Sequence, residues 1–196
     1  RIFKENKIDG IFNLASNTHV DRSIDNPVNF IKENIFSNLE FIDQINFLHK
    51  KNFFSGKFIN ISTDEVYGSV NGKASSETFL LRPNSPYSAS KASIEHILRS
   101  YNKTFKMPFI NVRSCNNYGP YQFPEKLIPK MITNIISNNK LPIYAKGKNS
   151  REWIHVQDHC KALFMLYLKG KSGESYNVGT GINLRNIDLV KKILKI

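Results

Sequence analysis

From residue 27 to residue 49 the apolar positions Val28, Ile31, Ile35, Leu39, Ile42, Ile45 and Leu48 recur in steps of three or four. That spacing predicts a helix, with a stripe broad enough to be buried on more than one face. Pro27 suits its first turn, where the N–H that proline lacks would have no partner in any case. Around this helix the pattern changes. Residues 11–14, 57–61 and 109–113 are short runs rich in Ile and Phe, as in strands covered on both faces. Ser85-Pro86 opens a second helix that runs to about Phe105 and carries Ile94, Ile97, Leu98 and Tyr101. Strands and helices alternating in this way build βαβ units, so the expected fold is α/β with a doubly wound parallel sheet. Farther along, a helix over 125–139, a short strand over 142–144 and the run 151–155 predict part of a smaller α/β lobe. The expected division is 1–122 for the sheet domain and 123–196 mainly for the lobe, the two interleaving along the chain.

Composition narrows the function. A chain of 196 residues with 40% hydrophobic content can bury a core of one to two domains. No run is long and apolar enough to cross a bilayer and no signal peptide is recognisable, so no membrane partner is expected. Two cysteines, Cys115 and Cys160, make no disulfide scaffold, which points to a reduced, cytoplasmic protein. The net charge of +12 raises nucleic acid as a partner. The lysines are scattered, however, without an arginine-rich helix or an aromatic RNA-reading motif, so no nucleic acid is expected. A basic surface instead assists capture of a small anion. His155 and His159 have the i, i+4 spacing of zinc ligands, but no third ligand accompanies them and Val156 and Asp158 read as a helix entrance. No metal is expected.

Candidate chemistry gathers at the end of the middle strand. Residues 57–61 run into Ser62-Thr63-Asp64-Glu65, and open parallel sheets bind ligands at the carboxyl ends of their strands. After a loop, Tyr87 and Lys91 stand four apart on the second helix and share one face. A tyrosine titrates near ~10, so a phenolate base at neutrality needs a shift of roughly three units, about 4 kcal/mol of differential stabilisation. A neighbouring ammonium and a cationic cofactor ring would supply it. Each motif alone has a bland reading, a surface Tyr–Lys pair or a polar turn that caps a helix.

Taken together, Thr63-Asp64-Glu65 and Tyr87-Ser88-Ala89-Ser90-Lys91 resemble the extended short-chain dehydrogenase/reductase family, and within it the nucleotide-sugar 4,6-dehydratases of the dTDP-glucose type. The runs Leu14-Ala15-Ser16-Asn17-Thr18-His19-Val20-Asp21-Arg22-Ser23, Asn116-Asn117-Tyr118-Gly119-Pro120-Tyr121, Phe123-Pro124-Glu125-Lys126-Leu127-Ile128-Pro129 and Arg151-Glu152-Trp153 are similar to that family's runs, in the family's order. Epimerases of the wider family keep the Ser or Thr and the tyrosine, and decarboxylases place a Ser where Asp64 stands, so Asp64 discriminates. Expelling water from a hexose needs an acid for the departing hydroxyl and a base for the adjacent proton.

The resemblance implies a Rossmann-like sheet, incomplete here because the N-terminal βαβ units and the Gly-rich phosphate-binding turn are absent from these residues, so that the isolated chain would turn over little. It implies NAD as cofactor, a nucleotide-diphosphate sugar (dTDP-glucose or UDP-glucose) as substrate, and Thr63, Asp64, Glu65, Tyr87 and Lys91 as catalytic residues. Asp64 would act as a protonated acid, its pKa raised by burial and by Glu65. Leu14, Ala15, Ser16, Asn17, Thr18 and Asn117, with Tyr87 and Lys91, would line the cofactor. Thr18, Thr63, Asn116, Lys126 and Leu127, followed by Pro142, Ile143, Tyr144, Arg151 and Asn177, would contact the sugar nucleotide, with the Arg151 fork on the diphosphate. The two long helices would form a four-helix bundle across a homodimer. Two positions depart from the family: Asn17 stands where it has Glu, and Glu33 where it has a small Thr. A related epimerase or decarboxylase, and a catalytically silent binding protein, are the alternatives.

Overall fold

The structure, a computed structural model, describes residues 2–70 and 74–195, without the side chains of Lys4, Tyr144 and Ala145. The chain divides into two compact units, Arg1–Ser114 with Ala162–Val178, and Cys115–Lys161 with Gly179–Ile196. It therefore passes more than once between them.

In the first unit the strands β1 (Gly10–Asn13), β2 (Lys57–Thr63), β3 (Phe109–Ser114) and β6 (Ser175–Val178) form one sheet in the order β1-β2-β3-β6, every pairing parallel. After a short α1 (Ile2–Glu5), the connections carry α2 (Val20–Asp25), α3 (Pro27–Lys50) and α4 (Pro86–Phe105). The expected parallel α/β arrangement is the observed one. α3 starts on Pro27 and ends with Lys50, a cation that complements the negative end of a helix. α4 is set by a capping box: the Ser85 side chain accepts from Ser88 N–H, and the Ser88 side chain accepts from Ser85 N–H. Its far end stops on Lys106 in the left-handed region, φ 63°. Between sheet and helices, Ile42, Ile45, Phe54, Phe58, Ile94, Leu98, Met107 and Phe109 form a core whose members are almost wholly removed from water. α3 buries Phe30, Ile42 and Ile45 but leaves Val28, Phe36 and Phe47 exposed, so in this chain the broad stripe is covered on one side.

A row of buried asparagines crosses the sheet. Asn13, Asn60 and Asn111 are paired in register. Asn60 Nδ2 donates to Asn111 Oδ1 at 3.0 Å, and Asn13 Nδ2 donates to Asn38 Oδ1 at 2.8 Å and, more weakly, to Asn60 Oδ1 at 3.4 Å. Shifting any strand by one residue would turn its asparagine to the other face, so the row holds the register.

The second unit contains β4 (Asn116–Tyr118), β5 (Ser150–His155) and β7 (Asn183–Arg185), with β4 parallel and β7 antiparallel to β5. α5 (Leu127–Ile136) packs on α7 (Asn186–Ile193), around Met131, Leu189 and Val190. α5 is shorter than the expected 125–139, with Lys126 extended at its N-cap. The expected strand over 142–144 does not form; Tyr144–Gly147 is instead a 3-10 turn. Pro142 has no N–H to offer a ladder. α6 (Val156–Lys169) starts directly after β5, where His155 Nδ1 accepts from Gln157 N–H at 3.3 Å and caps it.

Candidate active site

At the carboxyl end of β2 the chain leaves the sheet in a 3-10 turn, Asp64–Tyr67. Thr63 caps it, its Oγ1 accepting from Glu65 N–H at 3.3 Å, and the same hydroxyl donates to Asp64 Oδ1 at 3.3 Å. Val66 and Tyr67 point inward and are buried, which leaves Asp64 and Glu65 half-buried on the other side of the turn. Gly68 ends it at φ 76°, a left-handed conformation in which a Cβ would also run into Arg82 O.

Tyr87, in the first turn of α4, meets this turn. Its hydroxyl is hydrogen-bonded to the Thr63 side chain, and its titration feels the carboxylates of Glu65 and Asp64. Thr63, Asp64, Glu65 and Tyr87 are thus brought together. The residue keeps some outer exposure, but its hydroxyl end is desolvated. Burial first, then Glu65, then Asp64 push the phenol well above its ordinary range, and only the Thr63 hydrogen bond opposes them. Lys91, which spacing pairs with Tyr87, is not among the groups that shift this phenol. Lys91 Nζ is turned to the Ile61 carbonyl at 2.9 Å, at the end of β2. Burial lowers Lys91 to about 8, against the opposing charge of Glu95.

The turn of residues 14–18 follows β1 at the same end of the sheet. Leu14, Ala15, Asn17 and Thr18 are exposed and Ser16 is half-buried. Asn34, buried inside α3, clamps its backbone: Oδ1 accepts from Asn17 N–H at 2.8 Å, and Nδ2 donates to Asn17 O at 3.0 Å and to Ser90 Oγ at 3.1 Å. Ser90 in turn donates to the Tyr87 carbonyl at 2.7 Å. One amide therefore links residues 14–18 to the Tyr87 turn. No apolar periodicity signals such a residue; an asparagine in the middle of an otherwise amphipathic helix is the clue. The two departures from the family touch each other, Asn17 Nδ2 donating to Glu33 Oε2 at 2.5 Å. Asn177, at the end of β6, has its amide engaged inside the first unit, accepting from Tyr67 Oη at 2.7 Å and donating to Ser75 O at 2.8 Å.

The other sequence-chosen residues belong to the second unit. Asn116 and Asn117 lie on β4, and Asn117 Oδ1 is buried without a hydrogen-bond partner while its Nδ2 donates to Cys115 O at 3.2 Å. Lys126 and Leu127 stand at the start of α5, half-buried. Pro142 is half-buried and Ile143 exposed, ahead of the 3-10 turn; the Tyr144 side chain lies outside the described residues. Arg151 on β5 donates from Nη1 to Ser150 O at 3.0 Å.

The profile of the GDP-mannose 4,6 dehydratase family matches residues 1–196. The chain belongs to that family. Among similar family members are the dTDP-glucose 4,6-dehydratases of Xanthomonas campestris, 41% identical over 201 residues, and of Escherichia coli K12, 43% identical over 209 residues. Each alignment takes in 98% of this chain but 56% and 57% of the relative, so the chain spans little more than half their length. A solved dTDP-glucose 4,6-dehydratase from Streptomyces venezuelae, with NAD bound, superposes with a TM-score of 0.91 at 38% identity, over 98% of this chain and 58% of that one. The fold of this family member is therefore that of a Rossmann-like dehydratase.

Proposed function

We propose that the protein to which this chain belongs is an NAD-dependent nucleotide-sugar 4,6-dehydratase. It converts dTDP-glucose, in preference to UDP-glucose, to the 4-keto-6-deoxy sugar nucleotide and water. The observation that carries this reading is the turn capped by Thr63 that presents Asp64 and Glu65 close enough for their charges to act on the Tyr87 hydroxyl. An acid, a base and an alcohol-handling phenol at one strand end meet the needs of oxidation followed by elimination. The dTDP preference follows the similar relatives, each of which is a dTDP-glucose enzyme.

The residues present fit one end of NAD. Lys91 uses one of its three donors on Ile61 O, leaving others for a ribose diol. When bound, NAD supplies the acceptor for the C4 hydride and its return to C6. Tyr87, assisted by Thr63, takes the O4 proton. The 4-keto group acidifies C5, and Glu65 takes that proton. Asp64, protonated, gives its proton to the C6 hydroxyl as water leaves, and C5 is reprotonated on Glu65's side. The proton gained by Tyr87 balances the one lost by Asp64. Arg151 would hold the diphosphate as a bidentate donor. Full-length protein would form a homodimer through α3 and α4, and a cytoplasmic setting fits the two cysteines of these residues, Cys115 buried and Cys160 exposed.

Incubating full-length protein with dTDP-glucose or UDP-glucose and reading the alkali-induced absorbance of the 4-keto-6-deoxy product tests the reading. D64N is expected to lose elimination while still oxidising C4, so NADH accumulates; E65Q is expected to do the same. Absence of product from the wild-type protein with both sugars would sink the proposal.

A further inference from the structure

Beneath the turn that carries Asp64 and Glu65 lies an ionic cluster that none of the proposed catalytic roles uses. Glu95 is 3% exposed and Arg113 6% exposed. The guanidinium grips the carboxylate, Nε and Nη2 donating to Oε2 at 3.0 and 2.7 Å, and Ser62 Oγ donates to Oε1 at 2.5 Å. Arg113 Nη1 faces the other way, donating to Tyr67 Oη at 2.7 Å and to Glu77 O at 2.9 Å. A buried pair of this kind rarely adds stability over an apolar replacement, because desolvation offsets the attraction. Position gives the better account of it.

Tyr87, Lys91 and Glu95 follow at four-residue intervals on α4 and share one helix face. Ser62 immediately precedes Thr63, and Tyr67 closes the turn that presents Asp64 and Glu65. Charged and titratable groups reach this region from several elements: Arg113 from β3, Asp64, Glu65 and Tyr67 from the turn, and Tyr87 from α4. Glu95, also on α4, is the group whose charge opposes the effect of burial on Lys91.

We infer that Glu95, clamped by Arg113 and Ser62, is a positioning residue for Lys91: its carboxylate places a negative charge one helical turn from the buried ammonium and fixes the strand end from which Thr63 projects. The catalytic consequence rests on the dehydratase reading above; the electrostatic part is a property of the fold alone.

E95Q by itself strands the Arg113 charge and costs folding, so E95Q/R113M, which removes both charges, is the decisive variant. In full-length holoenzyme labelled with 13C-lysine, the Lys91 signal is assigned by its loss in K91R. In E95Q/R113M its titration is expected to move down by about one pH unit, a tenfold change in protonation. The alkaline limb of kcat with dTDP-glucose moves with it, so turnover at about pH 8.5 falls on the order of tenfold relative to about pH 6.5 while KM holds. A Lys91 titration unchanged in the double variant overturns the inference and reduces the cluster to a clamp between β3 and α4. If the wild-type protein turns over no nucleotide sugar, the dehydratase reading fails, and the Lys91 titration still decides the role of Glu95.

Discussion

Tyr87 illustrates how a residue's chemistry depends on neighbours that spacing does not reveal. The i, i+4 pattern pairs it with Lys91, yet the groups that dominate its hydroxyl come from the β2 turn, and both carboxylates push its phenol up. Lys91 shows the opposite sign. Burial lowers it to about 8 from 10.5, so between those values the unfolded chain holds a proton that the folded chain lacks. The burial penalty is complete below about 8 and is relieved as the pH rises toward 10.5, so this group makes stability rise with pH across that window. K91M should remove the slope: between about pH 7.5 and 9.5 the wild type should gain about 2 kcal/mol relative to the variant in urea unfolding. Gly68 belongs to the same scale. G68A places a Cβ against Arg82 O at a positive φ, and it should destabilise by about 1–3 kcal/mol and displace the Asp64–Glu65 turn, read as a lowered melting temperature and lost turnover.

At the scale of elements, apolar periodicity accounts for β1, β2 and β3 and for α3 and α4 to within a residue or two at most ends, because burial of one face against the sheet rewards that spacing. Polar pairings across elements escape it. The Asn13, Asn60 and Asn111 row lies inside strands that read as apolar, and each asparagine is satisfied only once three strands are in register. N60L should leave the Asn111 acceptor and part of the Asn13 amide unpaired in the core, at about 1–3 kcal/mol for each orphaned group, visible as a lowered urea midpoint. The Asn34 clamp is of the same kind: its partners Asn17 and Ser90 are far from it in sequence. The missing strand over 142–144 has a plain cause in retrospect, since three residues beginning with proline offer little to a ladder.

For the whole molecule, the exposed side of α3 is the informative surface. Phe36 and Phe47 are 59% and 53% exposed. They are three helical turns apart on one stripe, away from the buried Ile42 and Ile45. In the proposed homodimer this stripe is covered. F36E/F47E in the full-length protein should shift the sedimentation coefficient from that of a dimer to that of a monomer; an unchanged value would place the interface elsewhere. Ile42, wholly buried in the first unit's core, makes the complementary test: I42A should cost about 2–5 kcal/mol in unfolding free energy without changing the oligomeric state at low denaturant.

By itself the sequence determined the alternation of strands and helices, the parallel sheet it builds, and the two short motifs whose residue types admit few chemistries. Those follow from local periodicity and from side-chain identity, which act within a few residues of chain. Only the tertiary structure decided that two carboxylates act on the Tyr87 phenol, that Glu95 and Arg113 pair in the interior, and that asparagines lock the sheet. Each of these is an interaction between residues distant in the chain, whose strength depends on water being excluded when strands and helices close together.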